Sequence, residues 1–356
     1  ELAEFGRLSG KSQPMHELSP GDARQQFEQT SQLRDAAPSG ALTVTAVSIP
    51  ARDGHVLNAR LYAKPQADSE PRPVLLYFHG GGYVVGSLDS HDTLCRRLAL
   101  AGEFAVLSAD YRLAPEHRFP TAYNDGEDVT RWLAITGAKA LGLDANRIAL
   151  AGDSVGGSLV ASLCIAIGQD PLGWPLVPRL QVLLYPVIDA VEKRPSLAHF
   201  AEGYLLEATT LEWFYQQYQR TEVDRADWRF SPLYAESLQR LTPTVLWLAE
   251  YDPLLDEGLA WAEKLRAAGQ PLVLEVKAGM THDFARMGEM VQEVPGMLEQ
   301  LAAQIGGVVM GEDRLVGARM ADALDHRGVV ERIGQDDAAR NARRQRRERS
   351  PVRHVA

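Results

Sequence analysis

Short apolar runs bounded by Gly, Pro and charged residues alternate along most of this chain with longer stretches of helical period. Residues 1–40 differ, being polar and helix-compatible in stretches such as 20–27, with no strand pattern. From 41 to 190 the pattern predicts strands at 43–49, 57–62, 74–78, 105–109 and 148–151, closed by the run 180–185. Helices are predicted over 90–100 and 125–135 and after the strand at 148–151. Alternation of this period predicts an α/β fold, a mostly parallel central sheet with helices on both faces. Residues 191–242 interrupt it with a polar and aromatic insert carrying Tyr204, Leu205, Leu206, Trp213, Phe214, Tyr215 and Tyr218. Residues 243–306 resume strand, helix, strand and a last helix, with Pro295 at a first-residue position and Leu298, Leu301, Ala302 and Ile305 on one face. A tail, 307–356, follows. It has no aromatic residue from 311 onward, and seven arginines face one acid, Glu348, between Arg340 and Arg353. Such a segment buries too little apolar area to offset its ordering entropy, so it is expected to be solvated and disordered. A tether to nucleic acid or an anionic surface is the alternative.

Net charge is −10, with the acidic excess concentrated before the tail. An acidic body argues against nucleic acid or an anionic membrane as its partner. No apolar run approaches the roughly 20 residues that span a bilayer. The two cysteines, Cys95 and Cys164, fall in apolar helical patterns and read as buried thiols, which fits a reducing, cytoplasmic setting. Because the chain starts at Glu1 instead of Met, a cleaved export signal stays open. No Cys/His spacing suggests a metal site. The oligomeric state is left open, a dimer included.

The chemistry concentrates in a few motifs. Gly152-Asp-Ser154-Val-Gly156 joins the apolar strand 148–151 to an apolar helix. Two glycines allow a strand to reverse sharply into a helix, leaving Ser154 at the apex of a nucleophile elbow. Seventy-five residues upstream, His79-Gly80-Gly81-Gly82 follows another buried strand. Residues without side chains let backbone N–H groups approach an oxyanion closely, which makes this loop the partner expected for such an elbow, together with the N–H of Val155. A base and its orienting acid should follow in the order Ser, Asp, His. His282 comes after the strand-like run 271–276, whereas His199 lies in a polar stretch and reads as a surface residue. Asp252 follows the strand-like run 244–248, and Asp256 is a second candidate acid, with a helix start as its alternative role.

Together, His79-Gly-Gly-Gly82, Asp110-Tyr-Arg-Leu-Ala-Pro-Glu116, Gly152-Asp-Ser-Val-Gly-Gly157, Asp252-Pro-Leu-Leu-Asp256 and His282 resemble the hormone-sensitive lipase-like bacterial carboxylesterases of the α/β-hydrolase superfamily. The resemblance covers roughly residues 40–306. It implies Ser154 as nucleophile, His282 as base and Asp252 as acid. It also implies an oxyanion hole of Gly80, Gly81 and Val155 supported by Gly82, and a helical cap formed by residues 1–40 and the insert. Tyr83, Val84 and Val85 are expected to line the substrate pocket. Two departures stand out: Val155 where the family has Ala, and Asp283 where it has Gly. The implied activity is hydrolysis of a small-molecule ester with short-to-medium acyl groups through an acyl-enzyme, with no cofactor. An amidase or peptidase with the same triad, and a non-catalytic receptor on the same fold, remain the alternatives.

Overall fold

The computed structural model describes residues 13–34, 40–65 and 70–311, with 32–34 as backbone only. In chain order, helix α1 (Pro20–Arg34) leads to strands β1 (Thr43–Pro50), β2 (Val56–Ala63) and β3 (Arg72–Phe78). Helix α2 (Asp92–Ala101), strand β4 (Ala105–Ala109), helix α3 (Thr121–Trp132) and strand β5 (Leu143–Asp153) come next. Helix α4 (Val155–Gln169) and strand β6 (Leu180–Leu184) precede the insert helices α5 (Pro195–His199) and α6 (Ala208–Tyr218). Strand β7 (Thr244–Tyr251), helix α7 (Leu255–Ala267), strand β8 (Leu272–Thr281) and helix α8 (Glu293–Val309) complete the order.

The eight strands form one sheet in the order β1-β2-β4-β3-β5-β6-β7-β8. β2 runs antiparallel to both β1 and β4, and every other pair is parallel. Burial follows from that arrangement. β3, β4 and β6 are buried almost throughout because helices cover both faces, whereas antiparallel β1 alternates buried and exposed positions toward its end. On one face Leu75, Tyr77, Val182 and Trp247 pack with Leu94 and Leu98 of α2 and Leu298, Leu301 and Ile305 of α8. The opposite face carries α7, whose Gly258 lies against Leu248.

Element ends depart from the sequence pattern where tertiary bonds decide them. α2 begins at Asp92 because Ser90 and His91 are held by side-chain hydrogen bonds outside the helix. α3 begins directly after Pro120 and runs on through a π-turn, Leu133–Gly137. α8 starts two residues before Pro295, still within the first turn, where a missing N–H costs no intrahelical bond. It also continues to fully buried Val309, so the expected tail boundary at 307 falls inside a helix. The rest of the expected tail, 312–356, and residues 1–12 and 35–39 of the N-terminal segment lie outside the described residues. No helix among the described residues is long and apolar enough to cross a membrane.

Parallel strands share a direction, so their carboxyl ends meet at one edge of the sheet. His79, Asp110, Ser154, Tyr185, Asp252 and His282 each follow a strand there, which is where open α/β sheets collect chemistry.

Candidate active site

Ser154 sits between β5 and α4 with φ 51° and ψ −123°. No β-carbon fits at either flanking glycine. One on Gly152 would run into the Gly156 backbone, and one on Gly156 into the carbonyl oxygen of Phe78. The turn therefore needs both glycines and lifts the hydroxyl toward the strand ends. Ser154 Oγ lies 3.1 Å from His282 Nε2, and His282 Nδ1 lies 2.7 Å from Asp252 Oδ2. The other carboxylate oxygen of Asp252 accepts from the Leu254 N–H at 2.9 Å. The Tyr185 ring packs edge-on against the imidazole, with ring centres 4.9 Å apart. Asp256 Oδ2 accepts from the Ser196 N–H at 2.7 Å, and His199 is an exposed residue at the end of α5.

Burial lowers the affinity of His282 for a proton. The charge and hydrogen bond of Asp252, with the charges of Asp283 and Asp153, outweigh it and raise the pKa above its ordinary value. Asp283 occupies the left-handed region at φ 71° and bonds Arg286 (Nε to Oδ1, 2.8 Å), so the departure at this position adds negative charge beside the base.

The glycine loop differs from expectation in one respect. Gly80 donates its N–H to Asp153 Oδ1 at 2.9 Å, which removes it from the expected oxyanion hole. The N–H groups of Gly81, Gly82 and Val155 have no acceptor among the described residues. Positive φ at Gly81 (111°) and Gly82 (63°) turns the loop, and Gly82, expected with the hole as its support, presents a donor with no acceptor among the described residues. His79 braces the turn through Nδ1 to the Gly80 carbonyl oxygen (2.7 Å) while stacked on Tyr111.

The same curl buries Tyr83, Val84 and Val85, which were expected to line the pocket. Val84 and Val85 have no exposed surface, and Tyr83 stacks on Tyr218 at 4.1 Å. The Val155 side chain is likewise buried.

Sequence reasoning missed the buried cluster behind the nucleophile. Asp153 accepts from the Tyr77 hydroxyl (2.7 Å) and the Gly80 N–H, and its other oxygen faces His91 Nε2 at 3.3 Å. Burial alone would raise its carboxyl, but His91, Arg286 and the Tyr77 hydroxyl hold it far below the carboxylate range. Asp153 stands in the elbow motif in plain view; only the fold supplies its partners.

The insert packs directly on the loop. The Phe214 ring covers Gly82 so closely that a β-carbon there would strike it. The N-terminal segment joins the same layer: His16 Nδ1 lies 3.1 Å from Thr210 Oγ1, and Arg24 donates to the carbonyls of Val84 and Ala114, each at 2.8 Å. Between α5 and α6, apart from the triad and the glycine loop, opens a cavity of about 490 Å³ whose lining mixes apolar Pro195, Leu197, Leu211 and Tyr215 with charged Lys193, Arg194 and Glu212. No cluster of three His, Cys, Asp or Glu among the described residues could hold a metal ion.

Comparisons with known proteins agree with this architecture. Residues 75–286 match the family model described as the alpha/beta hydrolase fold. An ethyl acetate hydrolase of Pseudomonas putida is 50% identical over 295 residues, covering 82% of this chain and 92% of the relative. The carboxylic ester hydrolase LipN of Mycobacterium tuberculosis is 41% identical over 254 residues, 70% of this chain and 66% of that protein. Among solved structures, an ester hydrolase from the metagenome of Lake Arreo superposes with a TM-score of 0.81 at 32% identity, covering 86% of this chain and 96% of its own. The hyperthermophilic esterase of Pyrobaculum calidifontis gives 0.80 at 35% identity, with the same coverage of both chains.

Proposed function

The chain belongs to the α/β-hydrolase family, as a hormone-sensitive lipase-like carboxylesterase that hydrolyses small-molecule carboxylic esters, and from that premise we propose how its residues divide the work. Ser154 is the nucleophile. His282 takes the Ser154 proton as Oγ attacks the ester carbonyl, then returns it to the departing alcohol. Asp252 holds the Nδ1–H tautomer and stabilises the imidazolium without being protonated. Charge developing on the carbonyl oxygen is received by the N–H groups of Gly81, Gly82 and Val155. Water then repeats the sequence on the acyl-enzyme. The observation that carries this reading is the unbroken Asp252–His282–Ser154 chain, at 2.7 and 3.1 Å, beside three amides without an acceptor among the described residues.

The substrate we propose is an ester of short-to-medium acyl chain. The relative named for ethyl acetate supports the short end. The insert and residues 13–34 act as a cap that selects the chain and excludes water without touching the bond that breaks. A reducing, cytoplasmic setting is supported by the free buried thiols Cys95 and Cys164, each pushed up to about 12 by burial.

Rates on p-nitrophenyl esters from acetyl upward, beside matching anilides, test the reading. Ester turnover should exceed anilide turnover and fall with long chains. Ser154→Ala should lose several orders of magnitude in turnover and all labelling by a serine-directed phosphonate. Parent-like turnover in that variant would end the proposal.

A further inference from the structure

A buried serine and a half-buried carboxylate, Ser196 and Asp256, join the insert to the turn that carries Asp252, and neither belongs to the triad. Ser196, on α5, is 2% exposed. Its hydroxyl donates to the Pro253 carbonyl oxygen at 2.8 Å and accepts from the Asp256 N–H at 3.1 Å. Its own N–H donates to Asp256 Oδ2 at 2.7 Å. The five-residue turn from Asp252 to Asp256 is thus held at two points by one residue, 57 to 60 positions away in sequence.

The arrangement has a physical reason. Helix α7 starts at Leu255 without a capping side chain of its own, so its first N–H groups need outside acceptors. Asp252 Oδ1 accepts from the N–H of Leu254, just ahead of the helix, and Ser196 Oγ accepts from that of Asp256 in its first turn. The acid therefore shares the job of closing this helix start with a residue of the insert. If Ser196 releases the turn, Asp252 must satisfy it alone, and the 2.7 Å contact to His282 loosens.

We propose that Ser196 and Asp256 are positioning residues for the catalytic acid, so that the insert, besides covering the pocket, holds Asp252 in register with His282. This rests on Asp252 being the acid. It gives Asp256 a defined place, as the acceptor that locks α5 onto the acid's turn.

The test uses the full chain, with rates expressed per phosphonate-titratable serine so that unfolded protein drops out of the count. Ser196→Ala and Asp256→Ala should each lower kcat on a short ester on the order of 10- to 100-fold with KM nearly constant, since small misplacements of a reacting group cost that much. Asp256→Asn keeps an acceptor oxygen and should restore most of the rate. Both alanine variants should also move the acid limb of kcat/KM to lower pH, because Asp252 then raises His282 less. Parent-like kcat and pH profile in both, or a loss confined to KM, would overturn the proposal while Asp252→Asn stays inactive. Near-normal turnover in Asp252→Asn would instead remove the acid assignment, and this inference with it.

Discussion

The backbone N–H of Gly80 and the carboxylate of Asp153, 73 residues apart, are joined by a 2.9 Å hydrogen bond that ties the glycine loop to the residue just before the nucleophile. One peptide of the loop is thereby fixed, and the next two amides have no acceptor among the described residues.

Replacing Asp153 should therefore hurt both stability and rate. Asp153→Ala leaves the Tyr77 hydroxyl and the Gly80 N–H buried without an acceptor, at an expected cost on the order of 2–4 kcal/mol in unfolding free energy. Turnover should fall with it as the loop loses its anchor. Asp153→Asn can still accept from both donors and should fall between alanine and parent. Urea unfolding and kcat on an acetyl ester read the two effects separately, and an alanine variant unchanged in both would mean that the bond is dispensable.

Gly82→Ala tests the oxyanion donors and the cap contact in one residue. The position has φ 63°, and a β-carbon would press on the Phe214 ring, so the loop must move. Losing one aimed donor costs about 10²–10³ in kcat. A smaller loss, below about tenfold, would show that the Gly82 N–H is not part of the hole.

Asp252→Asn should cost on the order of 10⁴ in turnover by favouring the wrong imidazole tautomer. Asp256→Asn, which keeps an acceptor for Ser196, should cost far less. Reversed effects would transfer the acid role to Asp256.

The pH profile follows from the raised pKa of His282. The base works when neutral, so activity is lost as pH falls through a value above the ordinary histidine value of about 6.5. Asp283→Asn removes one of the charges that raise it, and asparagine tolerates the left-handed backbone at this position. The acid limb of kcat/KM should therefore move to lower pH, with kcat on the plateau nearly unchanged. A limb that stays put would show that Asp283 acts on Arg286 alone.

Much of this protein was legible in its sequence, for reasons that are local. Alternating strand and helix patterns imply a mostly parallel sheet, because covered strands must be apolar on both faces, as the almost wholly buried β3, β4 and β6 are. The glycines around Ser154 report a turn that no β-carbon would fit, and the order Ser154, Asp252, His282 places each candidate after a strand. What a sequence does not carry is the pairing of groups distant along the chain. Gly80 looked like an oxyanion donor until its N–H was found on Asp153, and Tyr83 to Val85 looked like pocket lining until positive φ at Gly81 and Gly82 curled them inward. Asp256 reads in the sequence as a second candidate acid, with a helix start as its alternative role. Its partner, Ser196, reaches it only because the insert folds back across the strand ends, and hydrogen bonds formed through such chain reversals leave no trace in local pattern.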